Sequence, residues 1–362
     1  MKTIKVSTAS RSYPVYIGTG IRQQGEIWAH KIRGSQVLVV SNETVAPLYL
    51  DEVLDAVSAS LVDSLILADG ERYKTAREWL QIVDKLVALK ASRDVTVLAL
   101  GGGVIGDLAG FAAATYMRGV GLIQFPTSLL AQVDAAVGGK TAINHSQGKN
   151  LIGAFYQPDA VVIDTSTLVT LPEREYIAGL AEVVKYGALG DAEFFIWLQE
   201  NAARLKEREP EAVQHAIERS VQSKAAIVAA DETESGQRAL LNLGHTFAHA
   251  IETAGAYSEW LHGEAVAVGM LLAARLSEIR GIASPNSLPA LTGLLAELDL
   301  PVRLPAGVDK NQLLDIMRLD KKNLSGQFRF VLLSAIGQAC IDQQVDEAMI
   351  LQTLDESSNQ PS

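Results

Sequence analysis

Five polar residues stand out in the small, apolar stretch from Arg238 to Glu252: Arg238, Asn242, His245, His249 and Glu252, stepping by four, three, four and three. At about 100° per residue that spacing predicts one helix with all five in a narrow stripe. A solvated face would mix Lys, Glu, Gln and Ser. This one has a guanidinium, an amide, two imidazoles and a carboxylate beside Leu and Phe. Unpaired polar groups on a buried face cost about 1–3 kcal/mol each, so their partners are either core side chains or a polar ligand. His262-Gly-Glu264 follows, and three of the six histidines lie between His245 and His262. Imidazoles with carboxylates nearby are a donor set for a divalent metal. Spacing alone favours His245 and His249, four apart, as the ligand pair.

A second group of motifs suits phosphate. Gly101-Gly-Gly103-Val104-Ile105-Gly106-Asp107 stands between a strand-like run, Val95–Leu100, and a helix-like one. This G-x-G-x-x-G setting lets backbone approach a pyrophosphate at a helix N-terminus. The usual fingerprint follows the first strand of its unit, whereas several strands precede this one. A nucleotide-binding α/β domain of non-standard Rossmann type is expected, the alternative being a glycine-rich turn without a ligand. Asp69-Gly70-Glu71-Arg72-Tyr73-Lys74 is a turn after a strand, where open α/β sheets hold ligand groups, although alone it reads as a surface loop. Asp134 sits among Ala and Val, and Gly138-Gly139-Lys140 with Lys149-Asn150 reads as a loop holding an anion. Glu182 and Lys185 share one helix face.

The elements that position these groups divide the chain. Short apolar strands (Lys2–Ser7, Tyr13–Ile17, Val37–Val40, Leu65–Leu67, Val95–Leu100) alternate with helices over 45–60 and 75–90. This rhythm predicts a parallel sheet with helices on both faces. Pro14 pushes its strand toward an edge. From Pro172 nearly everything reads as helix (193–203, 212–230 with Lys224, 265–280), with a hairpin-like run from Gln327. The expected division is an α/β domain over 1–172 and a helical domain over 173–362.

Composition narrows the partners. The 362 residues are 48% hydrophobic and 20% charged, enough to bury a core. A net charge of −11 argues against nucleic acid. The single Cys340 and the lack of an apolar leader point to the cytoplasm, and no run approaches the ~20 apolar residues of a membrane span. Yet Arg118, Lys140, Lys149, Lys185, Lys224, Arg238 and Lys321 gather at motifs, which suits a polyanionic substrate. A divalent metal would polarise a hydroxyl or carbonyl, and a nicotinamide would accept hydride. The residues thus lead to an NAD- and metal-dependent enzyme acting on a hydroxylated, anionic small molecule.

The motifs taken together resemble the 3-dehydroquinate synthase family of the shikimate pathway. They are Gly101–Asp107, Pro126-Thr-Ser-Leu-Leu-Ala-Gln-Val-Asp134 with Gly138-Gly-Lys-Thr141, Lys149-Asn150, Ala181-Glu-Val-Val-Lys-Tyr-Gly187, Asn242-Leu-Gly-His-Thr-Phe-Ala-His249 and His262-Gly-Glu264. The resemblance implies an N-terminal NAD domain, a helical C-terminal domain and a site in the cleft between. It implies conversion of 3-deoxy-D-arabino-heptulosonate 7-phosphate to 3-dehydroquinate and phosphate, with NAD regenerated in each turnover. Its metal ligands are Glu182, His245 and His262, for Zn²⁺ or Co²⁺. It turns His249 toward the substrate phosphate and proton transfer. Lys140, Asn150, Arg238, Asn242, Lys224 and Lys321 would hold the substrate, with Asp134 and Lys185 near its hydroxyls. Arg118 would reach across a homodimer. Asp69 to Lys74, Gly103 to Asp107, Thr127, Ser128, Lys140, Lys149 and Thr167-Leu168-Val169-Thr170 would line the NAD. Asn42 stands where many relatives carry Asp, which weakens one expected ribose contact.

Three rivals remain. Cyclases making deoxy-inosose or valiolone would share the cradle and metal site, but Arg238, Asn242 and Lys321 favour dehydroquinate. A metal- and NAD-dependent polyol dehydrogenase would release NADH and need fewer cations. A non-catalytic nucleotide-binding module would leave the polar stripe unexplained.

Overall fold

The computed structural model describes all residues except 58, 235, 256–259, 305–306, 320–327 and 359–362. The strands are β1 (Lys2–Ser7), β2 (Ser12–Gly18), β3 (Gln36–Asn42), β4 (Leu61–Leu67), β5 (Thr96–Gly101), β6 (Gly121–Pro126), β7 (Lys140–His145), β8 (Gly148–Phe155), β9 (Ala160–Asp164), β10 (Phe330–Ala335) and β11 (Gln338–Asp342). The helices of the first half are α1 (Gly25–Trp28), α2 (Ala46–Ala56), α3 (Ala76–Ala88) and α4 (Gly103–Thr115). Then come α5 (Glu173–Gly190), α6 (Ala192–Glu200), α7 (Ala202–Lys206), α8 (Pro210–Ala230), α9 (His245–Ala254), α10 (His262–Ile279), α11 (Ser287–Glu297), α12 (Lys310–Leu319) and α13 (Glu347–Ser358).

Two compact units form: Met1–Leu171 with Ser220–Thr233, and Pro172–Arg219 with Glu234–Ser362. A single division after residue 172 is expected; in the structure Ser220–Thr233, the end of α8 and the three residues after it, groups with the first unit.

The first unit is built on a seven-stranded sheet in the order β1-β2-β9-β6-β5-β3-β4. β1 and β2 are antiparallel and the other pairings are parallel. Every residue of β5 is buried, as a continuous apolar strand covered on both faces requires. Alternate residues feed two cores. Leu38, Val40, Val97 and Ala99 pack with Ile82 and Leu86 of α3 and Leu108 and Ala112 of α4. Val37, Val39, Leu98 and Leu100 pack with Trp28, Tyr49 and Val53. The predicted parallel sheet with helices on both faces is what forms. The Pro14 expectation needs correcting: β1 is the edge, and β2 lies second. β2 meets β9 only from Val15 on, so the missing N–H of Pro14 falls outside that ladder.

The order of strands reverses beside β3, whose neighbours are β4 and β5. Open α/β sheets bind ligands at such a switch point, past the C-terminal strand ends. The register aligns those ends: Asn42 lies opposite Leu67, and Gly101 opposite Pro126. A separate hairpin, β7–β8, takes the place of the expected loop. Its β8 is largely exposed and its ladder slips between Ile143 and His145, so period-2 patterning is absent.

Among its described residues the second unit has helices and one hairpin, β10–β11. The helix expected over 193–203 is two helices meeting at Asn201. α10 is buried nearly all round and rich in small residues. Those small residues permit a close crossing: a Cβ on Gly269 would stand 2.2 Å from the Gly244 carbonyl oxygen.

Candidate active site

The predicted single helix over Arg238–Glu252 is broken. Gln237–Asn242 forms a 3₁₀ turn, and α9 starts only at His245. Gly244 makes the break, with φ 79°. That left-handed backbone favours glycine, and a Cβ there would stand 2.6 Å from the Met270 nitrogen. Arg238 and Asn242 therefore belong to the turn, while His245, His249 and Glu252 share α9. Arg238 is buried, and Asn242 Nδ2 donates to Glu234 Oε1 at 2.5 Å.

The helix start brings three candidate metal donors together. His245 Nε2 lies 3.6 Å and His262 Nε2 3.5 Å from Glu182 Oε1. These three residues offer ligand atoms within 4.8 Å of one another. Each imidazole is held from behind by its other nitrogen. His245 Nδ1 is 3.1 Å from the Leu243 carbonyl oxygen, and His262 Nδ1 is 3.3 Å from Glu252 Oε2. Metal-ligating histidines have this support, which sets the tautomer and aims Nε2. A carboxylate and two imidazoles suit a tetrahedral divalent ion with one position left open. His249 stays close, its ring centroid 5.6 Å from that of His245, but outside the three-residue set.

Electrostatics sharpen the contrast between the imidazoles. Burial, with the Lys185 charge adding, holds His245 well below its ordinary value and so neutral. Burial also lowers His262, but hydrogen bonds donated to Glu182 and Glu252 outweigh it and push His262 up to about 10. Lys185 Nζ sits 2.5 Å from Glu182 Oε2, both side chains buried in α5. Glycine brings the parts together, since a Cβ on Gly263 would lie 1.8 Å from the Ala178 oxygen, one turn before Glu182. Glu264 turns back to accept the Leu261 N–H at 2.9 Å and pairs with Arg174 through both oxygens.

In the first unit the expected cofactor residues lie past the aligned strand ends. Asn42 ends β3; its Nδ2 donates to Asp69 Oδ1 at 2.7 Å and its Oδ1 accepts the Val45 N–H at 2.8 Å. Thr44 Oγ1 holds the other Asp69 oxygen at 2.7 Å. Gly101 to Gly103 join β5 to α4, and Thr127 N–H donates to the Gly101 carbonyl at 3.1 Å. A Cβ on Gly102 would come 3.4 Å from Ser128 Oγ and one on Gly103 3.4 Å from Ala135 Cβ, so the glycines leave the cradle open. Thr167 to Thr170 follow β9. Buried Lys74 pairs with Asp107 and donates to Asn150 Oδ1 at 2.6 Å. Asp107 and Glu71 raise the Lys74 ammonium against the effect of burial. Lys140 opens β7, and Lys149 and Asn150 lie in β8.

Asp134 occupies a π-turn, Ala131–Ala135, and its Oδ1 receives Lys224 Nζ at 2.6 Å. Arg118 is exposed in a left-handed turn at φ 65° and, among the described residues, makes no hydrogen bond or ion pair. Lys321 lies outside the described residues.

Sequence reasoning left two residues without roles. Glu252 backs His262, and its place in the polar stripe was the signal. Gln132 is fully buried and donates to the carbonyls of Pro126 and Asp164 and to Thr167 Oγ1, tying the β6 end to the β9 end. A lone Gln in an apolar run was its signal.

The comparisons with known proteins agree with this geometry. The structure superposes on 2-deoxy-scyllo-inosose synthase, solved with carbaglucose-6-phosphate, NAD⁺ and Co²⁺, at TM-score 0.89 and 25% identity, covering 98% of this chain and 100% of that one. It superposes on 2-epi-5-epi-valiolone synthase of Streptomyces hygroscopicus, solved with NAD⁺ and Zn²⁺, at TM-score 0.88 and 28% identity, covering 97% and 98%. The fold is therefore that of these two synthases. Models described as 3-dehydroquinate synthase N-terminal and C-terminal match residues 64–178 and 179–323. The 3-dehydroquinate synthase of Nitrosococcus oceani is 53% identical over 358 residues, 99% of this chain and 100% of that one. The chain belongs to the 3-dehydroquinate synthase family.

Proposed function

We propose that the chain converts 3-deoxy-D-arabino-heptulosonate 7-phosphate to 3-dehydroquinate and phosphate by a redox-neutral sequence: oxidation of one alcohol, β-elimination of phosphate, re-reduction, ring opening and aldol closure. The observation that carries this reading is the triad, two imidazole nitrogens converging on Glu182 Oε1 with their second nitrogens already engaged. Family membership supplies the substrate.

Glu182, His245 and His262 would hold Zn²⁺ or Co²⁺. The open glycine cradle, the N-terminus of α4 and the held Asp69 carboxylate fit NAD. NAD held there would supply a hydride acceptor that is regenerated within the turnover, and a divalent ion held by Glu182, His245 and His262 would supply polarisation of a carbinol oxygen. Lys185 balances the Glu182 charge beside it. Lys140, Asn150, Lys224, Arg238, Asn242 and Lys321 hold the carboxylate, hydroxyls and phosphate. Asp134, kept by Lys224, faces a hydroxyl, and His249 serves the phosphate and proton transfer. Arg118, exposed and without a partner among the described residues, suits the phosphate of a second copy in a homodimer. The cytoplasm is the proposed compartment. Among the described residues no helix is long and apolar enough to cross a membrane.

The test is phosphate release from the heptulosonate phosphate with zinc and catalytic NAD, followed by absorbance for NADH. Phosphate release without net NADH is the expected result. NADH accumulating with simple polyols, and no phosphate, would transfer the chain to the dehydrogenases.

The imidazole environments add a proton signature. A metal displaces any proton from its ligand nitrogen. His262 is pushed from the ordinary 6.5 up to about 10, so between these values it carries a proton that the metal must expel. Zinc added to chelator-treated protein at pH 8 is expected to release about one proton, and its affinity to rise with pH until about 10. Calorimetry in two buffers of different ionisation enthalpy reads this; no proton release would remove His262 from the ligand set.

A further inference from the structure

The hairpin β7–β8 pairs Ile143 with Ile152 and His145 with Gly148. Asn144 alone thus faces Lys149, Asn150 and Leu151, and the extra residues bulge. Bulges beside functional sites re-aim side chains. Asn150 takes a left-handed backbone there, φ 54°, a conformation Asn tolerates.

Asn144 engages three polar groups at this joint. Its backbone N–H donates to the Lys74 carbonyl at 2.7 Å. Its Nδ2 donates to Glu71 Oε1 at 2.7 Å. Its Oδ1 accepts the Asn150 N–H at 2.9 Å. Lys74 closes the circuit by donating Nζ to Asn150 Oδ1 at 2.6 Å. Few side chains satisfy these demands. Asp would set a carboxylate against Glu71, and Ala would leave both Glu71 and the Asn150 N–H without this partner.

We propose that Asn144 is a positioning residue that locks the bulge carrying Lys149 and Asn150 onto the loop Glu71–Lys74, so that the cofactor and substrate contacts of this unit are set together. This rests on the preceding reading of both segments as ligand contacts. Asn144 itself touches no ligand; it acts through Glu71, Lys74 and Asn150.

The test measures NAD affinity by calorimetry and KM and kcat for the heptulosonate phosphate, on the full zinc-loaded chain. Asn144→Asp is expected to weaken NAD binding about tenfold, the scale of losing a hydrogen bond to a charged group. KM should rise with it and kcat change less. Asn144→Ala should show a smaller loss of the same kind, and it carries the test if the Asp variant does not fold. Donor and acceptor can be exchanged, so Asn144→Asp combined with Glu71→Gln should bind NAD within about threefold of Glu71→Gln alone. Zinc content and circular dichroism should stay at wild-type values, which a merely structural role would not combine with this rescue. If both Asn144 variants bind NAD like wild type, or the double variant shows simple additivity, the inference falls while the functional reading stands. If the wild-type chain binds no NAD, both fall.

Discussion

His262→Ala is expected to lose bound zinc and to slow phosphate release about a thousandfold, because a Lewis acid contributes several kcal/mol of charge stabilisation. His262 is the first residue of α10, with a third of its side chain exposed. Its truncation removes a ligand without opening a core cavity, so the fold should survive. Metal analysis of the purified variant and a phosphate-release assay check both halves. Full activity with stoichiometric zinc would show that another residue completes the site and that His262 is not a ligand. Loss of activity with zinc retained would instead move His262 from metal binding to the reaction itself.

Gly263→Ala should have the next largest effect, and through the backbone. The new Cβ would lie 1.8 Å from the Ala178 oxygen and 2.5 Å from its carbonyl carbon, so α5 and α10 must separate. Backbone offers no rotamer to escape with, and overpacking of this kind costs about 3 kcal/mol. For 362 residues, at about 2.1 cal/mol/K of unfolding entropy each, the melting temperature should drop by about 4 °C. Glu182 lies one turn beyond Ala178 and His262 is the neighbour of Gly263, so the same separation pulls the donors apart. Thermal melts with chelator present and zinc titrations of the folded variant read the two effects. An unchanged melting temperature would mean that α5 and α10 do not meet this closely.

Both predictions concern a contact that local pattern could not reveal. The strand-like runs at Val37–Val40 and Val95–Leu100 were legible because a strand buried on both faces must be apolar throughout. The glycine turn and the α/β rhythm were legible for similar local reasons. The donor pair was not. Helical periodicity matches His245 with His249, since residues four apart always share a face. The geometry matches His245 with His262, which opens a different helix. Gly244 decides where α9 begins, and its reason is the passage of α10 against it, a contact distant in sequence. Only the resemblance names the three residues that the structure brings together. The β7–β8 hairpin escaped for a different reason: the bulge opposite Asn144 interrupts the alternation by which strands are read. Asn42 is instructive too. The sequence suggested a weakened ribose contact, while the structure engages its amide with Asp69 and the start of α2.

The turn after α4 bears on how such a chain changes over time. Met117 and Arg118 are both left-handed, at φ 47° and 65°, and Gly119 follows at φ 123°. Non-glycine residues in this region cost on the order of 1–3 kcal/mol each. Random substitution readily offers glycine, which would relieve that cost, and drift toward it should be easy wherever only folding is under selection. A glycine in place of Arg118 would also delete the guanidinium, and one in place of Met117 would loosen the direction in which it projects. If Arg118 serves the phosphate as proposed, the loop is a place where a more stable variant and a more competent one are different sequences. Laboratory evolution toward heat tolerance alone should tend to erode it, whereas selection for growth without supplied aromatic compounds should hold it in place.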